Sequence, residues 1–284
     1  MRSSSISMPC WTSLEQPPGR AMLRRLFPLL SALIAFAAAP PVAAQSTFDR
    51  VKSSGVVRVC IWPDYYGITF RSPRTEQLSG LDIDLSALLG RQLGLKVTYV
   101  DSSFASLVGD LTGDRCDVAM FAIAMLPQRM ERLRFTRPYL SSGIYAVTTK
   151  SNPVVKAWAD IDRPGVLVAV QAGTFMEPVM ASELKKAQLV KVAAPATREL
   201  ELEAGRVDVF MTDYPYSRRL LDNADWARLI APPKPFHVLP YAYAVKPGDE
   251  AWFTLMDGFV GRIQRDGSLA EAARKHGLAD IVAP

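Results

Sequence analysis

The run Asp117-Val118-Ala119-Met120-Phe121-Ala122-Ile123-Ala124, followed by Met125-Leu126-Pro127-Gln128-Arg129-Met130-Glu131-Arg132-Leu133, decides the fold class. A short continuous apolar run that gives way at a Pro to a polar, helix-forming stretch reads as a buried strand running into a helix. The same alternation extends in both directions. Upstream, strands are predicted over 56–62 and 96–101, with helices over 84–93 and 104–111. Downstream, strands are predicted over 166–171, 188–193, 207–213 and 228–231, with helices over 176–186 and 198–204. Strands that alternate with helices indicate an α/β architecture with largely parallel sheets. Near the end, Trp252, Leu255, Met256, Phe259, Val260 and Ile263 form one apolar helical face. Ser268 with Glu271 reads as a capping box for a terminal helix that ends at Gly277.

Two extended stretches, 143–150 and 241–246, flank the second strand-helix series. They suggest a chain that leaves a first lobe and later returns to it. The expected division is 46–146 plus 243–284 for lobe 1 and 147–242 for lobe 2. A double crossing forms a hinge, and the cleft beside it is a natural ligand site.

The N-terminal 44 residues read as a cleaved signal. Arg24 and Arg25 precede an apolar run from Leu26 to Ala39, and Val42 and Ala44 place the cut before Gln45. Met22 is the expected start, with Met1 as the alternative. The apolar stretch is short for a membrane span. This segment carries four arginines against Glu15, so about +2 of the total charge of +5 belongs to the rest of the chain. That small charge, without a basic stripe, excludes a nucleic-acid partner. The mature chain keeps Cys60 and Cys116, expected as buried, unbridged thiols. Nucleotide-binding, zinc-protease and serine-hydrolase motifs are absent, and neither His237 nor His276 sits in a triad-like setting. No catalytic residue, metal site or cofactor is expected.

Four motifs in fixed order carry a resemblance. They are Gly80-Leu81-Asp82-Ile83-Asp84-Leu85, the run from Pro127 through Arg129 to Pro138-Tyr139, Gln171-Ala172-Gly173-Thr174, and Gly205-Arg206-Val207-Asp208-Val209-Phe210-Met211-Thr212-Asp213. Over nearly the whole mature chain the sequence resembles the family 3 periplasmic solute-binding proteins for polar amino acids. The resemblance implies the two-lobed periplasmic binding protein fold, each lobe a β-sheet flanked by helices, joined by a two-strand hinge. It also implies a monomer in the periplasm that takes an amino acid or related carboxylate and delivers it to an inner-membrane ABC permease.

Residue by residue, Arg129 matches the family's carboxylate-binding arginine. A guanidinium offers a planar fork of donors for a carboxylate, whereas a surface arginine in a local ion pair is the plainer reading. Gly173 and Thr174 match a turn whose N–H groups complete that site, and they also suit an ordinary helix start. Asp213 matches the ammonium-binding carboxylate, and it equally suits the cap of a helix through Pro215. Asp64 and Tyr65 match an Asp-Tyr pair, here followed by Tyr66-Gly67-Ile68 rather than Pro-Phe. Tyr65 and Phe104 either wall the ligand or pack the lobe. Asp82 and Asp84 read as caps of the first helix.

Phe175 stands where a hydroxyl residue is common. Ala122, Ala124 and Leu126 replace the usual Gly and hydroxyl residues, so the pocket is expected to be more apolar. The phrase Met211-Thr212-Asp213 and the Ala242-Tyr243 region are also similar to the cyclohexadienyl dehydratases of this fold. There a general acid follows the Asp by three positions, and Tyr216 occupies that place here. A third reading is an accessory or sensor binding protein without a transport role.

Overall fold

The computed structural model describes residues 46–283. The expected signal segment, its cut before Gln45 and both candidate starts lie outside them. Helix α1 (Thr47–Ser54) is capped by the Ser46 side chain and stopped at Gly55. Strand β1 (Val56–Ile61), the hairpin of β2 (Phe70–Arg71) and β3 (Leu78–Ser79), helix α2 (Leu81–Leu93) and strand β4 (Lys96–Asp101) follow. Then come α3 (Leu107–Thr112), β5 (Val118–Ala124), the short α4 (Pro127–Met130), β6 (Arg134–Phe135) and β7 (Leu140–Ser142). A second series has β8 (Ile144–Thr149), β9 (Leu167–Gln171), α5 (Met176–Glu183), β10 (Gln188–Val192), α6 (Arg198–Glu203), β11 (Val209–Asp213), α7 (Tyr214–Leu221) and β12 (Ala227–Ile230). Strand β13 (Leu239–Val245) and helices α8 (Glu250–Arg265) and α9 (Ser268–Lys275) complete the chain.

The first sheet has the order β4-β1-β5-β13-β6, with β7 also on β13, and the second β10-β9-β11-β8-β12. In each, the consecutive strand-helix strands are parallel, while β13 and β8 run antiparallel to their neighbours. Every residue of β5 is buried, as befits a strand in mid-sheet covered on both faces. Gly143 separates β7 of the first sheet from β8 of the second. The stretches 143–150 and 241–246, read as crossings, thus pair almost entirely within single sheets. The chain passes over at Gly143 and again between Ile230 and Leu239.

Three local expectations are corrected. Cys60 and Cys116 form a disulfide. β1 and β5 are neighbours with Cys60 opposite Ala119, which brings the two cysteine Cα atoms to 5.6 Å, within bridging distance. Asp82 does not cap α2. Gly80 holds that position at φ +133°, where an added Cβ would lie 2.3 Å from the Ile68 carbonyl oxygen, and the Asp82 carboxylate turns inward. Ser268 opens α9 as its first helical residue behind Gly267, and its N–H bonds to Asp266.

The inward turn of Asp82 meets an irregularity in β5. The β5–β13 register shifts between Ala242 and Ala244, and Ala122 adopts φ +48°. The bulge releases the Ala122 N–H from the ladder. Asp82 Oδ2 accepts it at 3.0 Å, and the hydroxyls of Tyr139 and Tyr243 donate to the same carboxylate at 2.6 and 2.8 Å. Burial raises the Asp82 pKa to about 7 despite these three donors.

Candidate binding cleft

Arg129 sits on α4, one turn after β5 ends, so the strand end and the Pro127 helix start point it into the space between the sheets. It is only 6% exposed. Its Nη1 donates to the Ala124 carbonyl at 3.0 Å and its Nη2 to the Gly173 carbonyl at 2.7 Å, across from the second sheet. The guanidinium lies over the Phe104 ring, 5.3 Å from its centroid. Burial lowers its pKa to about 10, which leaves it charged at neutral pH. Its hydrogen-bond partners are neutral carbonyls, so the buried cation has no hydrogen-bonded counter-ion among the described residues.

Gly173 follows β9 with φ +78°. An added Cβ would lie 2.6 Å from the Ala105 nitrogen, so only glycine lets the two lobes' main chains approach this closely. The turn differs from expectation in one respect. The Gly173 N–H is held by Glu177 Oε2 at 2.9 Å, and the Thr174 N–H and hydroxyl both bond to the Gln171 carbonyl. It is the Gly173 carbonyl, rather than the N–H groups, that faces Arg129.

Asp213 ends β11 and caps α7, accepting the Tyr216 N–H on Oδ1 at 3.2 Å. Its Oδ2 accepts the Tyr241 hydroxyl at 2.8 Å and a short hydrogen bond from the Tyr65 hydroxyl. Both phenols belong to the first-sheet side. Burial pushes the Asp213 pKa up against these donors, and desolvation beside the carboxylate pushes both phenols well above their usual value.

Tyr65, Phe104, Ala122, Ala124, Arg129, Thr174, Phe175 and Asp213 line one cavity with about 20 Å³ of free space, room for about one water. Sequence reasoning missed Trp62, Met176, Arg198, Thr212 and Tyr241 in this lining, and treated Tyr216 only as the place of a possible acid. The aromatic members pack on one another: the Trp62 ring lies 5.3 Å from Tyr65, 5.2 Å from Phe104 and 6.4 Å from Tyr216, the last stacked. Leu126 is not in the lining. Asp64 is exposed and lines instead an outer cavity of about 440 Å³. The outer cavity shares Trp62, Phe104, Arg198 and Tyr216 with the inner one. Partial desolvation by the cavity walls, then the nearby Glu199 charge, raises the Asp64 pKa. The only local signals for Arg198 were its place after the Thr197 cap and before β11, and neither marks a cleft residue.

This arrangement has known counterparts. The sequence model for bacterial extracellular solute-binding proteins, family 3, matches residues 57–279. The chain is 30% identical over 251 residues to a cyclohexadienyl dehydratase of Pseudomonas aeruginosa, covering 87% of this chain and 92% of that one. It is 23% identical over 250 residues to the L-cystine-binding protein TcyJ of Escherichia coli K12, covering 88% and 93%. Among solved structures, an ancestral amino acid-binding protein described as a precursor of cyclohexadienyl dehydratase superposes with a TM-score of 0.73 at 27% identity, over 81% of this chain and 99% of that one. Two α/β lobes, a cleft between them and a match over most of the chain agree, and the protein belongs to the bacterial extracellular solute-binding proteins of family 3.

Proposed function

We propose that this protein is the substrate-binding component of an ABC importer, holding an amino acid or related carboxylate between its lobes. The observation that carries this reading is the pairing of Arg129 and Asp213 in one cavity. Arg129 is a buried cation with only carbonyl partners, and Asp213 is a buried anion contributed by the opposite lobe. A zwitterion supplies what each lacks: its carboxylate takes the fork of Arg129 from the Gly173 carbonyl, and its ammonium joins the Asp213 shell. In this reading lobe 1 comprises 46–142 and 239–283, and lobe 2 lies between. With so little free space, a ligand enters only when the lobes part. Parting breaks the Arg129–Gly173, Tyr65–Asp213 and Tyr241–Asp213 contacts together. The relatives that bind amino acids support the ligand class, and the ABC transporter binding proteins among them support a periplasmic protein that delivers to a permease.

The 30% identity to a dehydratase supports a second reading, an enzyme. Against it, the position expected for a general acid is Tyr216. Burial beside Glu199 pushes its pKa well above the usual phenol value, so it holds its proton too tightly to serve near neutral pH.

A thermal-shift screen of amino acids and small carboxylates tests the first reading, since a ligand at 100 times its Kd stabilises by about 2.7 kcal/mol. Calorimetry on Arg129→Lys and Arg129→Ala then follows. Loss of affinity in both, larger for Ala, is expected, and unchanged binding by Arg129→Ala overturns the carboxylate role. Conversion of prephenate or arogenate to an aromatic product by the purified protein overturns the assignment as a binding protein.

A further inference from the structure

The cleft holds polar atoms that the Arg129–Asp213 pair does not use. Arg198, at the start of α6, is 3% exposed. Its Nη1 donates to the Met211 carbonyl at 2.8 Å, and its guanidinium lies 4.6 Å from the Tyr216 ring centroid and 5.1 Å from that of Phe210. Among the described residues its Nε–H is buried without a hydrogen-bond partner, as are Glu199 Oε1 and Thr212 Oγ1. Arg198 Nε and Glu199 Oε1 lie 3.7 Å apart, too far to satisfy one another. Leaving a buried donor and acceptor unmade is unfavourable. Arg198 lines both the inner and outer cavities, Glu199 lines the outer one, and Thr212 the inner. The residues that carry these orphan atoms thus line the inner cavity that holds Arg129 and Asp213 and the outer cavity that adjoins it.

The geometry points to a ligand side chain that ends in a primary amide or ureido group. Its carbonyl accepts from Arg198 Nε and its N–H donates to Glu199 Oε1, with the Thr212 hydroxyl free to bond either atom. Charge favours the same choice. Arg129 and Asp213 neutralise the ligand's two ends, and Arg198 and Glu199 offset each other. An acidic side chain would add an anion beside Glu199, with Asp64 also facing the outer cavity. A basic one would place a cation against Arg198. Arg71, the other cation lining the outer cavity, is engaged by Asp101. The inference rests on the amino-acid reading above and narrows it.

The test is calorimetric titration of the protein with L-glutamine, L-citrulline, L-glutamate, L-arginine and L-alanine, repeated on Glu199→Gln and Arg198→Met. Glutamine or citrulline is expected to bind at least tenfold tighter than the other three. Glu199→Gln, which removes the anion and leaves Arg198 unbalanced, should raise the affinity for glutamate relative to glutamine at least tenfold. Arg198→Met should raise that for arginine relative to glutamine. Alanine binding as tightly as glutamine overturns this inference alone, as does tighter binding of glutamate or arginine. If none of the five binds, this inference falls, and the thermal-shift screen decides whether the amino-acid reading falls with it.

Discussion

Asp82 and Asp213 are both wholly buried, and each accepts hydrogen bonds from two tyrosine hydroxyls and one main-chain N–H. For Asp82 these come from Tyr139, Tyr243 and Ala122; for Asp213, from Tyr65, Tyr241 and Tyr216. Burial raises both pKa values. What differs is where the donors come from. Those of Asp82 all lie on the first-sheet side, so its shell survives any movement of the lobes. The two phenols of Asp213 reach across the cleft, so two of its three donors stay only while the lobes meet, and the Tyr216 N–H alone belongs to its own side. The same chemistry serves as a fixed joint in one place and a separable one in the other.

The largest expected effect tests the fixed joint. Asp82→Ala leaves the buried hydroxyls of Tyr139 and Tyr243 without their acceptor, while the Ala122 N–H keeps the Tyr139 oxygen at 3.1 Å; at about 1–3 kcal/mol for each hydroxyl, urea unfolding should show a loss on the order of 2–6 kcal/mol. Asp213→Ala should lose less, because its phenols can reach water when the lobes open. Equal losses would dissolve the distinction. Next comes pH. The Asp82 pKa of about 7 lies above that of an unfolded aspartate, near 3.9. The native state therefore keeps a proton that the unfolded chain releases. The corresponding stability is fully present below about pH 4 and is lost at about 1.4 kcal/mol per unit as pH rises towards 7. Denaturant midpoints measured across this window should fall, and Asp82→Asn should flatten the slope.

A smaller effect probes the separable joint. Asp213→Asn should weaken amino-acid binding by roughly 10- to 100-fold, as expected for loss of a charged hydrogen bond. Carboxylates lacking the amine should bind nearly as before. Calorimetry with matched ligand pairs would show it, and equal losses for both would remove Asp213 from the ammonium role. The smallest expected effect compares single donors. Tyr139→Phe should cost about 1 kcal/mol of stability. Tyr65→Phe should barely change it, but should shift the radius of gyration measured by scattering towards a more open form.

Much of the architecture is legible in local patterns. The apolar runs at β5, β9 and β11 and the helical face of α8 mark themselves by composition and period. Arg129 and Asp213 follow from motifs at strand ends. Pairings between distant segments are not legible. The Cys60–Cys116 bridge depends on β1 lying beside β5, although α2, β4 and α3 intervene. Asp82 looks like a helix cap because the bulge at Ala122 that turns it inward lies forty residues away. Arg198 looks like any arginine in the first turn of a helix. Only the tertiary placement of Met211, Phe210 and Tyr216 around it makes it a cleft residue. Tyr241 sits in a stretch that resembled a hinge strand, and its neighbour across the ladder, Ala124, identifies it as cleft wall.

The position of β13 between β5 and β6 bears on how the chain is assembled. Every strand of the second sheet comes from one unbroken span, 144–230, so that half can complete its pairing as soon as it is made. The first sheet cannot. One of its interior strands, β13, arrives only after the whole of the other half, and until residues 239–245 emerge, β5 presents a fully apolar strand with one open edge. An unpaired apolar edge is a template for wrong partners. The portion synthesised first is therefore the last to be finished, and the interval between the two is when the molecule is most exposed to aggregation.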